Sequence, residues 1–229
     1  NLRQEIAGEL RDDLLKLYHS NKDNRPYSPD PVDAAQRKLK NGALSYLMTL
    51  DAPSVRSLGV SQFETADNMT DSMAALACLV DLDCPEREAA LRDFYTRWQD
   101  DSLVLDKWLS LQAMSSLPGT LSNVKALLDH PVFSLRNPNK VRALIGAFCA
   151  GNQLRFHGKD SAGYVFLADQ VLALDDINPQ VAARLLAPLG QWRRFDEQRQ
   201  LAMRGQLSRI LEKSGLSRDV YEIASKSLD

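Results

Sequence analysis

Asn137-Pro138-Asn139-Lys140-Val141-Arg142-Ala143-Leu144-Ile145-Gly146-Ala147-Phe148 and, 41 positions further on, Asn178-Pro179-Gln180-Val181-Ala182-Ala183-Arg184-Leu185-Leu186 decide the fold. Each opens with an asparagine suited to capping a helix and a proline suited to its first position. Apolar residues then recur at helical steps: Val141, Leu144, Ile145 and Phe148 in one, Val181, Leu185 and Leu186 in the other. The offset matches an armadillo or HEAT unit of about 40–47 residues. Such a helical hairpin cannot bury its apolar face alone and stacks on its neighbours. The class implied is all-α, an armadillo/HEAT-like α-solenoid of stacked helical hairpins. A four-helix bundle would have fewer and longer helices.

Outward from this pair the same punctuation recurs at Asp30-Pro31, Asp51-Ala52-Pro53, Cys84-Pro85 and Leu117-Pro118-Gly119-Thr120, which makes room for about ten to twelve helices. Asn1 to Tyr18 reads as an amphipathic helix with Leu2, Ile6, Leu10, Leu14, Leu15 and Tyr18 on its buried stripe. After a polar loop from Asn21 to Pro29, Ala34, Leu39, Leu44 and Leu47 mark a second helix. Met69, Met73, Leu76 and Leu79 mark another. Asp101 to Met114 carries a broad stripe of Leu103, Leu105, Trp108, Leu109 and Leu111, with Val124, Leu127 and Leu128 as its partner. No alternating run signals a strand. No linker or low-complexity stretch divides the chain, so residues 1–229 read as one helical-repeat domain.

The 229 residues are 44% hydrophobic, enough for a substantial core. Lys and Arg number 28 against 30 Asp and Glu, a net charge of −2. That balance supplies no field for nucleic acid or an anionic membrane, and neither is expected as a partner. Cys78, Cys84 and Cys149 are odd in number and lack CxxC spacing, as suits a reducing compartment. No apolar run approaches the roughly eighteen residues of a membrane span. The chain opens on Asn1, directly into a helical pattern, which points to a piece of a longer polypeptide.

Chemistry is sparse. A zinc hydrolase of the HExxH type needs two histidines four apart on one helical face with a glutamate as general base. His19, His130 and His157 are far apart and none is followed by Glu. There is no GxSxG elbow, no GxxxxGK[ST] loop and no GxGxxG turn. Adjacent acids such as Asp12-Asp13, Asp100-Asp101 and Asp175-Asp176 diverge on a helix. No catalytic residue and no metal ligand is expected. Gln180 and Arg184 share a helical face, and Arg142 holds the comparable place after Pro138. Spacing alone favours ordinary surface or ion-paired arginines, with a polar lining of a concave face as the alternative. Phe156 through Tyr164 reads as a helix start capped by Asp160 or Ser161.

Several ordered strings carry a resemblance: Ala66-Asp67-Asn68-Met69-Thr70-Asp71, Leu105-Asp106-Lys107-Trp108, Asn137 to Arg142, Phe156-His157 through Gly163-Tyr164, Asn178 to Arg184, Arg193-Arg194-Phe195-Asp196 and Val220-Tyr221-Glu222. Together they resemble, over essentially the whole chain, the C-terminal helical domain of bacterial aminopeptidase N, a gluzincin-type zinc family. The resemblance implies a cytoplasmic, monomeric exopeptidase with a broad preference for basic and small apolar N-terminal residues. Its HExxH helix and GxMEN loop would lie upstream. This chain would then hold no cofactor, the zinc belonging to the full-length enzyme. Its partners would be the upstream catalytic domain and peptide substrates. Arg142, Gln180 and Arg184 match positions that in the family approach the substrate from the wall of an internal chamber, a substrate-channel role. The family's helical domain is longer, so first helices would be missing and an apolar edge exposed. The alternative is an independent helical-repeat adaptor that binds a protein partner.

Overall fold

A computed structural model describes residues 2–22 and 25–229. Among these all regular structure is helical. The chain forms two compact units, one up to Arg97 and one from Trp98 to Asp229. Nothing in the sequence marks the division, which falls at a helix end with no Pro- or Gly-rich linker.

The first unit holds α1 (Leu2–Glu9), α2 (Arg11–Ser20), α3 (Pro31–Leu47), α4 (Pro53–Thr65), α5 (Met69–Val80) and α6 (Pro85–Trp98). The single opening helix expected from Asn1 to Tyr18 is two. Asn1 lies outside the described residues, and the chain bends at Leu10, with φ −102° and ψ 17°. Leu2 and Leu10 are exposed, while Ala7 and Tyr18 are buried. Counting large apolar residues therefore misplaced the inward face, because a small alanine supplies the contact. Asp23 and Asn24 of the expected Asn21–Pro29 loop also lie outside the described residues.

On α3 the buried face is Lys40, Ala43, Leu44 and Leu47, while Ala34 and Leu39 are exposed. The face is set by an ion pair rather than by Leu39. Lys40 Nζ donates to Asp71 Oδ2 at 2.7 Å, with the two side chains 10% and 8% exposed. Asn41 Nδ2 donates to Asp71 Oδ1 at 2.8 Å, and Asn68 Nδ2 to Asp71 Oδ2 at 3.1 Å. Asn68 also caps α5 by accepting from the Asp71 amide at 3.0 Å. Gln62 Nε2, on α4, donates to Asn41 Oδ1 and to the Asp71 carbonyl. α3 and the start of α5 are thereby tied to one carboxylate and α4 to the carbonyl of the same residue, and the negative charge of Asp71, with burial as the larger cause, pushes the Tyr18 phenol up.

The second unit holds α7 (Ser102–Ala113), α8 (Thr120–Leu128), α9 (Pro138–Val141), a π-helix (Arg142–Gly151), α10 (Gln153–Phe156), α11 (Ala162–Asp175), α12 (Pro179–Leu185), α13 (Ala187–Gly190), α14 (Glu197–Leu211) and α15 (Arg218–Leu228). Caps follow the expected residue types. Asp101 accepts from Leu103 and Val104, Asn137 from Asn139 and Asn178 from Val181. Both Asn-Pro openings thus start helices. The first continues as one turn of α-helix and then a π-helix, a winding for which the sequence carries no signal. Asn152 ends it, its amide bonding to Ala147 O and Phe148 O and its side chain to Ala113 O and Ser115 O. Lys140 is buried, donating to Ser102 O at 2.8 Å and pairing with Asp106 at 2.8 Å.

The core here is aromatic. Phe148 meets Phe156 and Phe166 edge to face, with ring centroids 6.2 and 5.7 Å apart. Gly163 is required by the crossing of α10 and α11, since a Cβ there would lie 2.3 Å from Phe156 O. Of the two caps proposed for α11, Asp160 makes the bond, Oδ1 accepting from Ala162 N at 3.1 Å. Ser161 occupies the cap position at φ 57° without a side-chain bond.

Candidate functional site

Arg142 heads the π-helix and Arg184 lies in the last turn of α12, and the fold brings them to one pocket of about 250 Å³. Its remaining wall is almost wholly apolar: Pro138, Cys149, Val181, Leu185 and Pro188, with Gly146, Ala150 and Ala187. Gln180 is one helical turn before Arg184 and faces an adjoining, more open cleft of about 390 Å³, shared with Arg184, Asp219, Glu222 and Ile223. The three residues singled out by sequence are therefore all exposed, with Arg184 standing between two depressions. Val181 and Leu185 of this wall were already visible as apolar positions of the second opening, while its small members, Gly146, Ala150 and Ala187, carried no signal.

Among the described residues neither guanidinium has an ion-pair partner. Arg142 Nη2 donates to the neutral Asn139 Oδ1, and the side chains of Arg184 and Gln180 make no hydrogen bond to another described residue. Glu222 in the adjoining cleft is engaged by Lys226 at 2.7 Å, which holds its carboxyl below the usual range. The Cys149 thiol is driven well above its ordinary pKa by burial, so it stays protonated and poorly nucleophilic. Among the described residues no group of three or more His, Cys, Asp or Glu side chains is placed to hold a metal ion.

His157 and Tyr164, both in strings that carry the resemblance, meet through His157 Nδ1 and Tyr164 Oη at 2.8 Å. The imidazole stacks on Phe195 at 4.1 Å, and the His157 carbonyl accepts from Arg199 Nε and Nη2 at 3.1 Å each. Burial, and then the Arg199 charge, lower the His157 pKa. The unfolded chain then binds a proton below about pH 6.5 that the folded ring refuses. Stability is full above that pH and declines below it, until the folded ring itself titrates. Burial lowers the His130 pKa as well, with the same sign. Denaturant midpoints measured from pH 7.5 downward should fall more steeply for the parent protein than for His157→Gln, with His130→Gln/His157→Gln flattest. Identical slopes would contradict a half-buried His157 held neutral by the fold.

Over residues 1–229 the chain matches the family described as "Domain of unknown function (DUF3458_C) ARM repeats". The chain belongs to that family. This ARM-repeat domain is 39% identical over 227 residues to aminopeptidase N of Escherichia coli (strain K12), a match covering 99% of this chain and 26% of that protein. To aminopeptidase N of Caulobacter vibrioides it is 41% identical over 230 residues, covering 100% of this chain and again 26% of the relative. A crystal structure of Legionella pneumophila aminopeptidase A in complex with aspartic acid superposes with a TM-score of 0.91 at 34% identity, covering 100% of this chain and 28% of that one. The ARM-repeat domain thus spans about a quarter of the length of the relatives it matches. It is the C-terminal helical domain of aminopeptidase N-like proteins, all-α and armadillo-like as its 41-residue repeat of punctuation implied.

Proposed function

We propose that this domain is the non-catalytic C-terminal module of a cytoplasmic zinc aminopeptidase, walling the chamber over an active site held by the upstream part of the polypeptide. It admits peptides and orients them, while the zinc and the reactive groups come from the catalytic domain. The observation that carries this reading is the pair of guanidiniums, Arg142 and Arg184, exposed at one pocket without an anionic partner among the described residues. Side chains placed so can give charge-assisted hydrogen bonds to peptide carbonyls or carboxylates. Gln180, a turn away, offers a neutral donor and acceptor. Three free cysteines accord with a reducing compartment.

Arg184→Ala in the complete polypeptide tests it. An exposed helix residue without bonds costs the fold little when truncated, within about 0.5 kcal/mol. If it orients substrate, kcat/KM on peptides should fall about ten- to hundredfold, the worth of a hydrogen bond to a charged group. An unchanged kcat/KM would overturn the reading and favour a scaffold that binds a protein partner.

A further inference from the structure

We propose that the polar pocket bounded by the end of α2, by α3 and by the α4–α5 turn binds a free α-amino acid, its carboxylate on Lys22, its ammonium on Asp67 and its side chain against Tyr18. The pocket lies wholly within the first unit and shares no residue with the pocket of Arg142 and Arg184.

At about 310 Å³ it stands at the lower end of the roughly 300–1,000 Å³ of sites that enclose small ligands, which suits one amino acid. Helix ends place the two charged groups. Asn21 Nδ2 closes α2 by donating to Leu17 O at 2.8 Å, which leaves Lys22 just past the helix. Asp67 lies in the turn directly before Asn68, the cap of α5.

Charge then selects the ligand. Lys40 and Asp71 on the wall neutralise each other at 2.7 Å, and Arg25 is paired with Asp33 at 2.8 Å. Lys22 and Asp67 are left over. The Lys22 side chain forms no hydrogen bond or ion pair with another described residue. The Asp67 carboxylate accepts from Asn68 Nδ2 at 2.9 Å and from Tyr27 N at 2.8 Å, both uncharged. These bonds, the Asn68 amide foremost, hold its carboxyl below the usual range, so it is ionised at neutral pH. One spare cation and one spare anion on one wall complement a zwitterion. A simple anion would meet Asp67 and Asp71, and a simple cation would meet Lys22, Arg25 and Lys40.

The remaining wall favours a polar side chain on that zwitterion. Tyr18 is 2% exposed, yet its hydroxyl makes no hydrogen bond to another described residue. Burial and the Asp71 charge keep it protonated, so it stands as a donor. Gln62 beside it is 5% exposed, with Nε2 engaged and Oε1 without a partner. Polar groups left unpaired at such burial are costly, and a ligand with an acceptor for the Tyr18 hydroxyl offsets part of that cost. An apolar side chain does not.

Calorimetric titration tests this on the complete polypeptide, its active site saturated with a slowly cleaved peptide, using asparagine, asparagine amide, N-acetylasparagine and leucine. Asparagine should bind saturably at one site per chain. It should bind more tightly than the amide or the acetyl form by about three- to tenfold each, the range of an exposed charge-assisted bond, and more tightly than leucine. Added salt should narrow both charge ratios. Lys22→Gln should erase the preference over the amide and keep that over the acetyl form. Asp67→Asn, which retains an acceptor for Tyr27 and Asn68, should do the reverse. Tyr18→Phe should erase the preference for asparagine over leucine. No saturable binding of asparagine, equal affinities for asparagine and its two capped forms, or ratios that all three variants leave intact would overturn the site.

Discussion

Asp71→Ala is expected to destabilise the first unit by about 3–5 kcal/mol, the cost of leaving a buried charge without its partner. The Lys40 ammonium, its side chain 10% exposed, would lose the carboxylate it is paired with. Asn41 and Asn68 would each lose an acceptor, so α3 and the start of α5 would lose the group that joins them. Lys40→Met/Asp71→Asn should cost less than Asp71→Ala alone, because removing both charges strands neither. Hydrogen exchange in the complete protein reads the effect through protection of the α3 and α5 amides. A loss for Asp71→Ala no larger than that of the double variant would contradict the account of this cluster.

Phe148→Ala carries a comparable loss in the second unit, about 3–5 kcal/mol for a fully buried aromatic side chain. Its ring is the shared partner of Phe156 and Phe166, so its removal opens a cavity between the π-helix, α10 and α11. Phe148→Leu, which keeps most of the apolar volume, should lose much less. The π-helix also carries Arg142 and Cys149, so the alanine variant should weaken substrate handling as well as stability. Denaturant unfolding followed by amide protection in α11 measures the first effect. Equal losses for the Ala and Leu variants would show that Phe148 is not a packing centre.

The helical class and the main helix starts were legible because capping is local chemistry. Asn137 and Asn178 each accept from an amide two or three residues on, so type and position suffice to place them, whereas Asp30, ahead of Pro31, starts α3 without a side-chain cap bond. Which face turned inward was less legible wherever a polar residue set it. Leu39 is exposed and Lys40 buried, because Asp71, 31 positions away in sequence, draws the ammonium inward. Long-range electrostatics of that kind leave no periodic trace. The two arginines of the candidate site stood out because each lies in the second turn after an Asn-Pro opening, Arg142 four residues past Pro138 and Arg184 five past Pro179. The pocket they share depends on the π-helix packing against α13, beside α12, which periodicity does not record.

The most direct measurement is photolabelling of the complete enzyme by a slowly cleaved peptide whose C-terminal residue is an apolar photoreactive phenylalanine analogue. If this domain walls the substrate chamber, crosslinks should map to the π-helix and α12–α13, around Gly146, Ala150, Val181 and Ala187, and an excess of unmodified peptide should suppress them. Specific labelling confined to parts of the polypeptide outside this domain, with none in these helices, would contradict it.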